Sequence, residues 1–371
     1  MPTNSSKPNI LHTEWAYGWG GQEMRILAET QAFLERGYNM KIACQPDKPL
    51  MIHAREAGVP TIPLVLKKGL RFDSVFSTLR IIKAHQIDLV HTHSSVDAWR
   101  CGIAARIAGV PVVRSRHLST PIKKIPTSWY VYMKLADRVI TSGQSIKDRM
   151  VNENKMIADQ IISVPAGIDE NRFHPDIDRM TVRNEFGFSD DDFVIGIVAI
   201  LRIWKGHSFL IQAVKQLLEQ GRNVKLLICG DGPQYENLKK LIAELNLASE
   251  IIMAGHRKDV EQCFAAMDCV VLPSTKNEAT SQVLPQAMAM RRPVIAADAG
   301  SLSEVVIDKK TGRLVPPEDA DALAEALSWM IDNPAERDRV AEQGYQHCMD
   351  NFTFKKMIDS TEAVYREVLA G

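Results

Sequence analysis

The chain has 371 residues, 45% apolar and 24% charged, enough to bury about two ordinary domain cores without disulfide or metal staples. Its six cysteines, Cys44, Cys101, Cys229, Cys263, Cys269 and Cys348, form no Cys-x-x-Cys pair, which argues against zinc or dithiol chemistry and predicts a reducing, cytoplasmic setting. Basic and acidic residues balance at 45 each, yet residues 1–160 hold 22 Lys and Arg against 13 Asp and Glu. That basic half either meets an anionic partner (phospholipid, lipid-linked sugar phosphate, nucleic acid) or faces the acidic remainder.

The opening MPTNSSKPNI is polar and predicts no signal peptide, and no apolar run reaches the roughly 20 residues of a membrane span. Strands are predicted at Asn9–His12, Met40–Cys44, Leu89–His91, Val112–Arg114 and Arg138–Thr141. A second series follows at Val194–Ile200, Lys225–Cys229, Ile251–Ala254, Cys269–Leu272 and Pro293–Ala296. Amphipathic stretches such as Met24–Arg36 lie between them, with Ile26, Leu27, Phe33 and Leu34 at helical spacing. Alternating βα units predict two doubly wound parallel sheets with right-handed crossovers. Turn chemistry at Pro165, Gly167, Pro175 and Ser189–Asp192 marks the break, giving lobes over 1–170 and 171–353. Residues 354–371 form a final helix whose Met357, Ile358, Thr361, Val364 and Tyr365 share one face, free to dock back on the first lobe.

Ligands of such sheets bind beyond the carboxyl ends of the strands, so the loops there are where chemistry is expected. Gly20-Gly21-Gln22-Glu23 opens the first helix; it is either a backbone approach to an anion or a tight packing turn. Arg202 and Lys205 follow a strand and suit a diphosphate, the arginine as a fork and the lysine as a point charge. Gly230-Asp231-Gly232 and Gly255-His256-Arg257 end the next two strands and are either ligand loops or ordinary turns. Glu278 precedes a helix expected to start near Ser281. The amides of Thr280, Ser281 and Gln282 then offer an anion site, and Pro285 is tolerated in the first turn. His91 and His93 alternate at a strand end; they read as scaffold histidines rather than a metal pair, since no carboxylate or cysteine cluster accompanies them. Asp176-Ile177-Asp178 and Asp190–Asp192 fit an Asp-x-Asp string but fall in the linker.

Taken in order, Gly20-Gly21-x-Glu23, His91-x-His93-Ser94, Asp137-Arg138-Val139, Pro165-Ala166-Gly167, Arg202…Lys205-Gly206, Gly230-Asp231-Gly232-Pro233, Glu278 with its loop, and Thr311-Gly312 resemble the retaining glycosyltransferases of family 4 over nearly the whole chain. The resemblance implies the GT-B fold, two Rossmann-like lobes facing a central cleft, and transfer of a sugar from a nucleotide-diphosphate sugar with retention. Arg202 and Lys205 would clamp the diphosphate with Gly21 approaching from the other lobe, Glu278 would hold sugar hydroxyls, and His117 would lie beside the reacting sugar. Gln286 stands where the family has a ribose-binding glutamate, which removes charge assistance from that bond.

The expected partners are a nucleotide-sugar donor, a glycan or lipid-linked acceptor of cell-surface polysaccharide or lipopolysaccharide synthesis, and an anionic membrane surface, with no metal, no cofactor and no nucleic acid. Peripheral attachment to the inner face of the cytoplasmic membrane is read from Lys67-Lys68-Gly69-Leu70-Arg71-Phe72 and from Ile122–Lys134, basic segments mixed with aromatics. A Tyr/Trp/Met core stripe with solvated lysines is the other reading of those segments. Competing functions are a GT-B nucleotide-sugar epimerase and a non-catalytic nucleotide-sugar-binding protein.

Overall fold

Runs of aliphatic and β-branched residues bounded by Gly, Pro and Asp leave the central strands buried on both faces, the signature of a parallel sheet covered by helices. The computed structural model describes residues 7–67, 69, 72–118, 120–276, 278 and 281–371. It divides into two compact units, one comprising the chain to Pro165 together with Met357–Gly371, the other Ala166–Lys356.

The first unit carries β1 (Asn9–Glu14), β2 (Asn39–Cys44), β3 (Thr61–Pro63), β4 (Leu89–Thr92), β5 (Val112–Arg116), β6 (Arg138–Thr141) and β7 (Ile161–Ser163). They pair in parallel in the order β3-β2-β1-β4-β5-β6-β7. Leu11, Val90, Val112 and Val139 pack one face against helices such as Ser95–Ala108, whose Ala98, Cys101, Ala104 and Ala105 are small enough to let it sit close. The other face is met by the Gly21–Glu35 helix and by the Phe354–Ala370 helix.

That last helix is fixed by both apolar and charged contacts. Tyr365 is fully buried with its ring 5.1 Å from Phe33. Arg36 forks between Asp359 at 2.6 Å and Glu362 at 2.5 Å, and the Tyr38 hydroxyl donates to Glu362 at 2.8 Å. Burial raises the Glu362 carboxyl, but the bonds from Tyr38, Arg36 and Arg366 outweigh it and leave the group below its ordinary range.

The second unit carries β8 (Phe193–Val198), β9 (Val224–Cys229), β10 (Ile251–Gly255), β11 (Cys269–Leu272), β12 (Val294–Ala297) and β13 (Arg313–Val315), ordered β10-β9-β8-β11-β12-β13. One face buries Ile195, Ile197, Leu226 and Val271, the other Val194, Leu227, Val270 and Leu272. Each such side chain is worth roughly 1.5–3 kcal/mol of burial, which makes these sheets rigid platforms for the loops at their ends. In both sheets the strand order reverses at one gap, β1/β4 in the first and β8/β11 in the second.

The ten predicted strands are present with ends shifted by up to two residues. β3, β7 and β13, three residues each and all at sheet edges, are too short to show a periodicity.

Candidate functional site

In the second unit the loops after β8 and β11 meet at the gap where strand order reverses. Gly206 is the pivot. Its φ is +74°, and a Cβ there would lie 1.9 Å from the Pro273 carbonyl oxygen. The absent side chain lets the two loops touch, and Thr275 N–H then donates to the Trp204 carbonyl at 2.8 Å.

The contact brings Lys205 Nζ to both carboxylate oxygens of Glu278, at 2.7 and 2.8 Å. The two side chains are 15% and 10% exposed, so the pair is mostly withdrawn from water. Glu278 is held from behind as well. Its carbonyl accepts from Ser301 N–H at 3.0 Å, and Gly300, at φ +65°, passes so near that a Cβ would stand 2.1 Å from that oxygen.

Arg202 is exposed, its guanidinium 4.9 Å from the centre of the Trp204 ring. The loop after β9 leans on the same segment. Leu201 N–H donates to the Asp231 carbonyl at 3.0 Å and Gly230 N–H to the Gly255 carbonyl at 2.7 Å, while the Asp231 side chain turns back on Gly232 N–H at 2.7 Å. Next to Lys205, His207 is buried with neither ring nitrogen hydrogen-bonded among the described residues; burial and the Lys205 charge lower it to about 4.

The other predicted donor residues are less uniformly placed. Arg257 is not a free cation: it is bound by Glu185 at 2.5 and 2.8 Å and by Asp259 at 2.9 and 2.7 Å, and these bonds raise its pKa. These ion pairs hold the Arg257 guanidinium within its own unit. His256 is exposed on the same turn. The helix begins at Val283, two residues later than expected, and spans only Val283–Ala289, with Pro285 in its first turn. Ser281 is buried, Gln286 half-buried, and Gln282 donates its side-chain amide to the Gly167 carbonyl at 3.2 Å. Thr280 lies outside the described residues.

In the first unit the strand ends carry a different chemistry. His12 on β1 pairs in register with His91 on β4, and the two-residue period of a strand puts His93, Ser115 and His117 on the same face. Tyr365 reaches that face from the Phe354–Ala370 helix. Its hydroxyl lies 2.7 Å from His91 Nδ1 and 3.0 Å from His12 Nε2. His91 Nε2 meets Ser115 Oγ at 2.8 Å, His12 Nδ1 meets His93 Nε2 at 3.1 Å, and His93 Nδ1 meets His117 Nε2 at 3.1 Å.

Burial drives all four imidazoles toward the neutral form. His12 falls to about 3, and His91, His93 and His117 lie well below their ordinary value, with Arg25 lowering the last three further. Ligand nitrogens of His12, His91 and His93 lie within 4.8 Å of one another, the one trio of metal-ligand type among the described residues. Every ring nitrogen of that trio already has a hydrogen-bond partner, so a cation there would break the series.

Beside it, Asp97 takes His93 N–H at 2.7 Å, Ser94 N–H at 2.8 Å and the Thr13 hydroxyl at 3.1 Å, fixing the turn that carries His93. Glu14 binds Trp15 N–H at 2.7 Å, Ala16 N–H at 2.8 Å, Ser94 Oγ and Gln22, which ties down the Gly20-Gly21 turn at the helix start. Burial raises both carboxyls.

Sequence reasoning singled out His91, His93 and His117 but missed His12, Ser115 and Tyr365. The alternation of polar residues along strands that are otherwise aliphatic was the available signal.

The aromatic-basic segments divide. Val131, Tyr132 and Met133 are core, with Arg114 3.8 Å over the Tyr132 ring. Phe72, Phe76, Ile125 and Tyr130 are exposed, Tyr130 stacking on Trp99 at 6.1 Å. Lys68, Leu70 and Arg71 lie outside the described residues. No helix among the described residues is long and apolar enough to cross a membrane.

Comparison with known proteins agrees with this geometry. Residues 19–172 match the Glycosyltransferase Family 4 model and residues 178–347 the Glycosyl transferases group 1 model. The chain is similar over 100% of both lengths, at 25% identity, to the UDP-Gal:alpha-D-GlcNAc-diphosphoundecaprenol alpha-1,3-galactosyltransferase of Escherichia coli. Its fold is that of a glycosyltransferase from Rickettsia africae, with TM-score 0.88 and 21% identity over 98% of this chain and 99% of the other. It is also that of Anabaena HepE in complex with UDP, with TM-score 0.84 and 22% identity over 97% and 100%. The two doubly wound sheets, the motif order and the matches to both halves make this chain a GT-B glycosyltransferase of family 4.

Proposed function

We propose that the enzyme transfers a sugar from a nucleotide-diphosphate sugar, held by the second unit, to a glycan or lipid-linked acceptor of cell-surface polysaccharide synthesis, with retention of configuration. The observation that carries this reading is the Lys205–Glu278 pair, seated where two glycines let three loops converge at the end of the sheet. In the free chain each charge neutralises the other. A donor diphosphate offers Lys205 a stronger anion, and the carboxylate it releases becomes an acceptor for sugar hydroxyls. Arg202 adds a fork to the same phosphates.

Catalysis is then chiefly electrostatic stabilisation of the departing diphosphate, a role in which loss of one group costs about 10²–10³ in kcat. The leaving phosphate itself takes the acceptor proton on the face it departs from, which gives retention without a strong protein base. With two cations at the phosphates the reaction needs no metal, and chelation should leave turnover unchanged. His117 is assigned to the transfer step as the polar group acting on the reacting sugar. Gly21, Gly230, Asp231, Ser281 and Gln286 are assigned to donor binding. A lipid-linked acceptor is inferred by likeness to the Escherichia coli relative, and exposed Phe72, Phe76, Ile125 and Tyr130, with Lys123, Lys124 and Lys134, are assigned to contact with an anionic membrane.

The test is incubation with a panel of UDP- and GDP-sugars and a polyprenyl-diphosphate-sugar acceptor, with product read by mass spectrometry and its anomeric configuration by NMR. Transfer that is lost in Lys205→Ala and Glu278→Ala supports the reading. Isomerised donor formed without acceptor would mark an epimerase instead, and donor binding with no turnover a non-catalytic protein. Absence of co-sedimentation with anionic vesicles at low salt would remove the membrane face.

A further inference from the structure

The five bonds linking Ser115, His91, Tyr365, His12, His93 and His117 form one unbranched series, and its bookkeeping fixes more than its geometry. Each neutral imidazole carries a single N–H and must donate at one nitrogen and accept at the other. The series therefore holds together only if every member points its proton the same way along it. A reversal between two imidazoles would set two lone pairs or two protons face to face in a buried site, and one at Tyr365, its oxygen accepting from both rings, would leave its own buried proton without an acceptor.

Two directions remain, and Ser115 separates them. Its hydroxyl is 3% exposed and has His91 as its hydrogen-bond partner among the described residues. If the protons ran toward Ser115, that hydroxyl would accept from His91 and its own proton would be buried without an acceptor, a cost comparable to a lost hydrogen bond. If they run away from Ser115, every proton is used. Ser115 donates to His91 Nε2, His91 Nδ1–H to the Tyr365 oxygen, the Tyr365 hydroxyl to His12 Nε2, His12 Nδ1–H to His93 Nε2, and His93 Nδ1–H to His117 Nε2.

We propose that Ser115 and Tyr365, acting through His12, His91 and His93, lock half-buried His117 as its Nδ1–H tautomer and so make it a hydrogen-bond donor to the sugar rather than a base. This rests on the assignment of His117 to the transfer step and adds its sense. Tyr365 is the vulnerable link, because it supplies the one hydroxyl joining the β1 and β4 histidines and comes from a helix distant in sequence. Ser115 and Tyr365 are positioning residues; only His117 would touch substrate. Because His117 ends with its proton outward, it can strengthen a bond to a hydroxyl or ring oxygen that gains charge as the glycosidic bond breaks.

The test uses full-length protein labelled with 15N-histidine. Two-bond proton–nitrogen correlations identify which nitrogen of each ring is protonated. We expect a single Nδ1–H tautomer at His117 in the native enzyme. Tyr365→Phe keeps the ring and its packing but deletes the hydroxyl, so it should give mixed tautomers at His117 and lower kcat by about tenfold with KM for the nucleotide sugar unchanged. Ser115→Ala removes the source of direction at the other end and should do the same, which keeps the idea testable if Tyr365→Phe folds poorly. A protonated Nε2 at His117 in the native enzyme, unchanged tautomers and kcat in both variants, or stoichiometric Zn2+ bound to His12, His91 and His93 in the purified protein would each overturn the proposal. Undiminished turnover in His117→Ala beside an intact Nδ1–H tautomer in the native protein would instead remove the assignment of His117, leaving the lock itself in place.

Discussion

Acidification from pH 7.5 to 5.5 should unfold the first unit well before the second. Four histidines of that unit, His12, His91, His93 and His117, are held neutral by burial, His12 with a value of about 3. A lowered value in the folded state means that the unfolded chain binds the proton first. Stability is therefore complete above the unfolded value near 6.5 and drains as the pH falls, toward about 3 for His12. At pH 5.5 each such histidine has given up about 1.4 kcal/mol relative to pH 7.5, or about 5.5 kcal/mol for the four. Asp97 and Glu14, raised by burial, act in the opposite sense: the folded state takes up their protons earlier and returns part of the loss. The net is about 3–5 kcal/mol, a large share of an ordinary domain's stability. Among the described residues of the second unit, burial lowers His207, to about 4, and His347, which is less deeply buried; His207 should lose about 1.4 kcal/mol and His347 a smaller amount, still well short of the first unit. Urea unfolding at pH 7.5, 6.5 and 5.5, read by hydrogen-exchange mass spectrometry on peptides from β4 and β5 and from β8 and β11, separates the two units. Equal losses in both, or a loss in the first no greater than one histidine accounts for, would refute the reasoning.

Three further outcomes are expected. Glu278→Gln frees Lys205 for phosphate, so UDP measured by calorimetry should bind as well as before or up to about tenfold tighter, while transfer falls about 10²–10³-fold; a parallel fall in UDP affinity would contradict the release of Lys205 by the donor. Gly206→Ala adds left-handed strain of about 1–2 kcal/mol and a methyl 1.9 Å from the Pro273 oxygen, so both melting temperature and turnover should drop, and an unchanged enzyme would show that the loops do not depend on that contact. Glu362→Ala leaves Tyr38 and Arg36 short of an acceptor and should cost about 1–3 kcal/mol and raise exchange in the Phe354–Ala370 helix; in the native protein the same contribution, with Glu362 held below 4.5, should persist above that pH and fade below it.

The strands that build the cores were legible because their residues are aliphatic without interruption, as in Leu226–Ile228 and Val270–Leu272. The loops carrying Arg202, Lys205 and Glu278 were legible because a strand's end and a following helix bracket each. What could not be read was pairing across the fold. Nothing local says that Lys205 rests on Glu278, 73 residues away, or that Arg257 is consumed by Glu185. His91 and His93 gave a local sign of buried polarity, but their meaning depends on Tyr365, 274 residues beyond His91, and on a register between β1 and β4 that only the sheet order supplies.

The return of the chain to the first unit after Lys356 has a consequence for biosynthesis. A ribosome delivers Tyr365 only after the whole of the second unit has been made, so the histidine series stays open at its middle link throughout translation. The first unit waits, its β1 and β4 already able to pair, for a segment separated from it by about 190 residues. Any product arrested before that segment emerges would lack the hydroxyl bridging His12 and His91 however well the rest had folded.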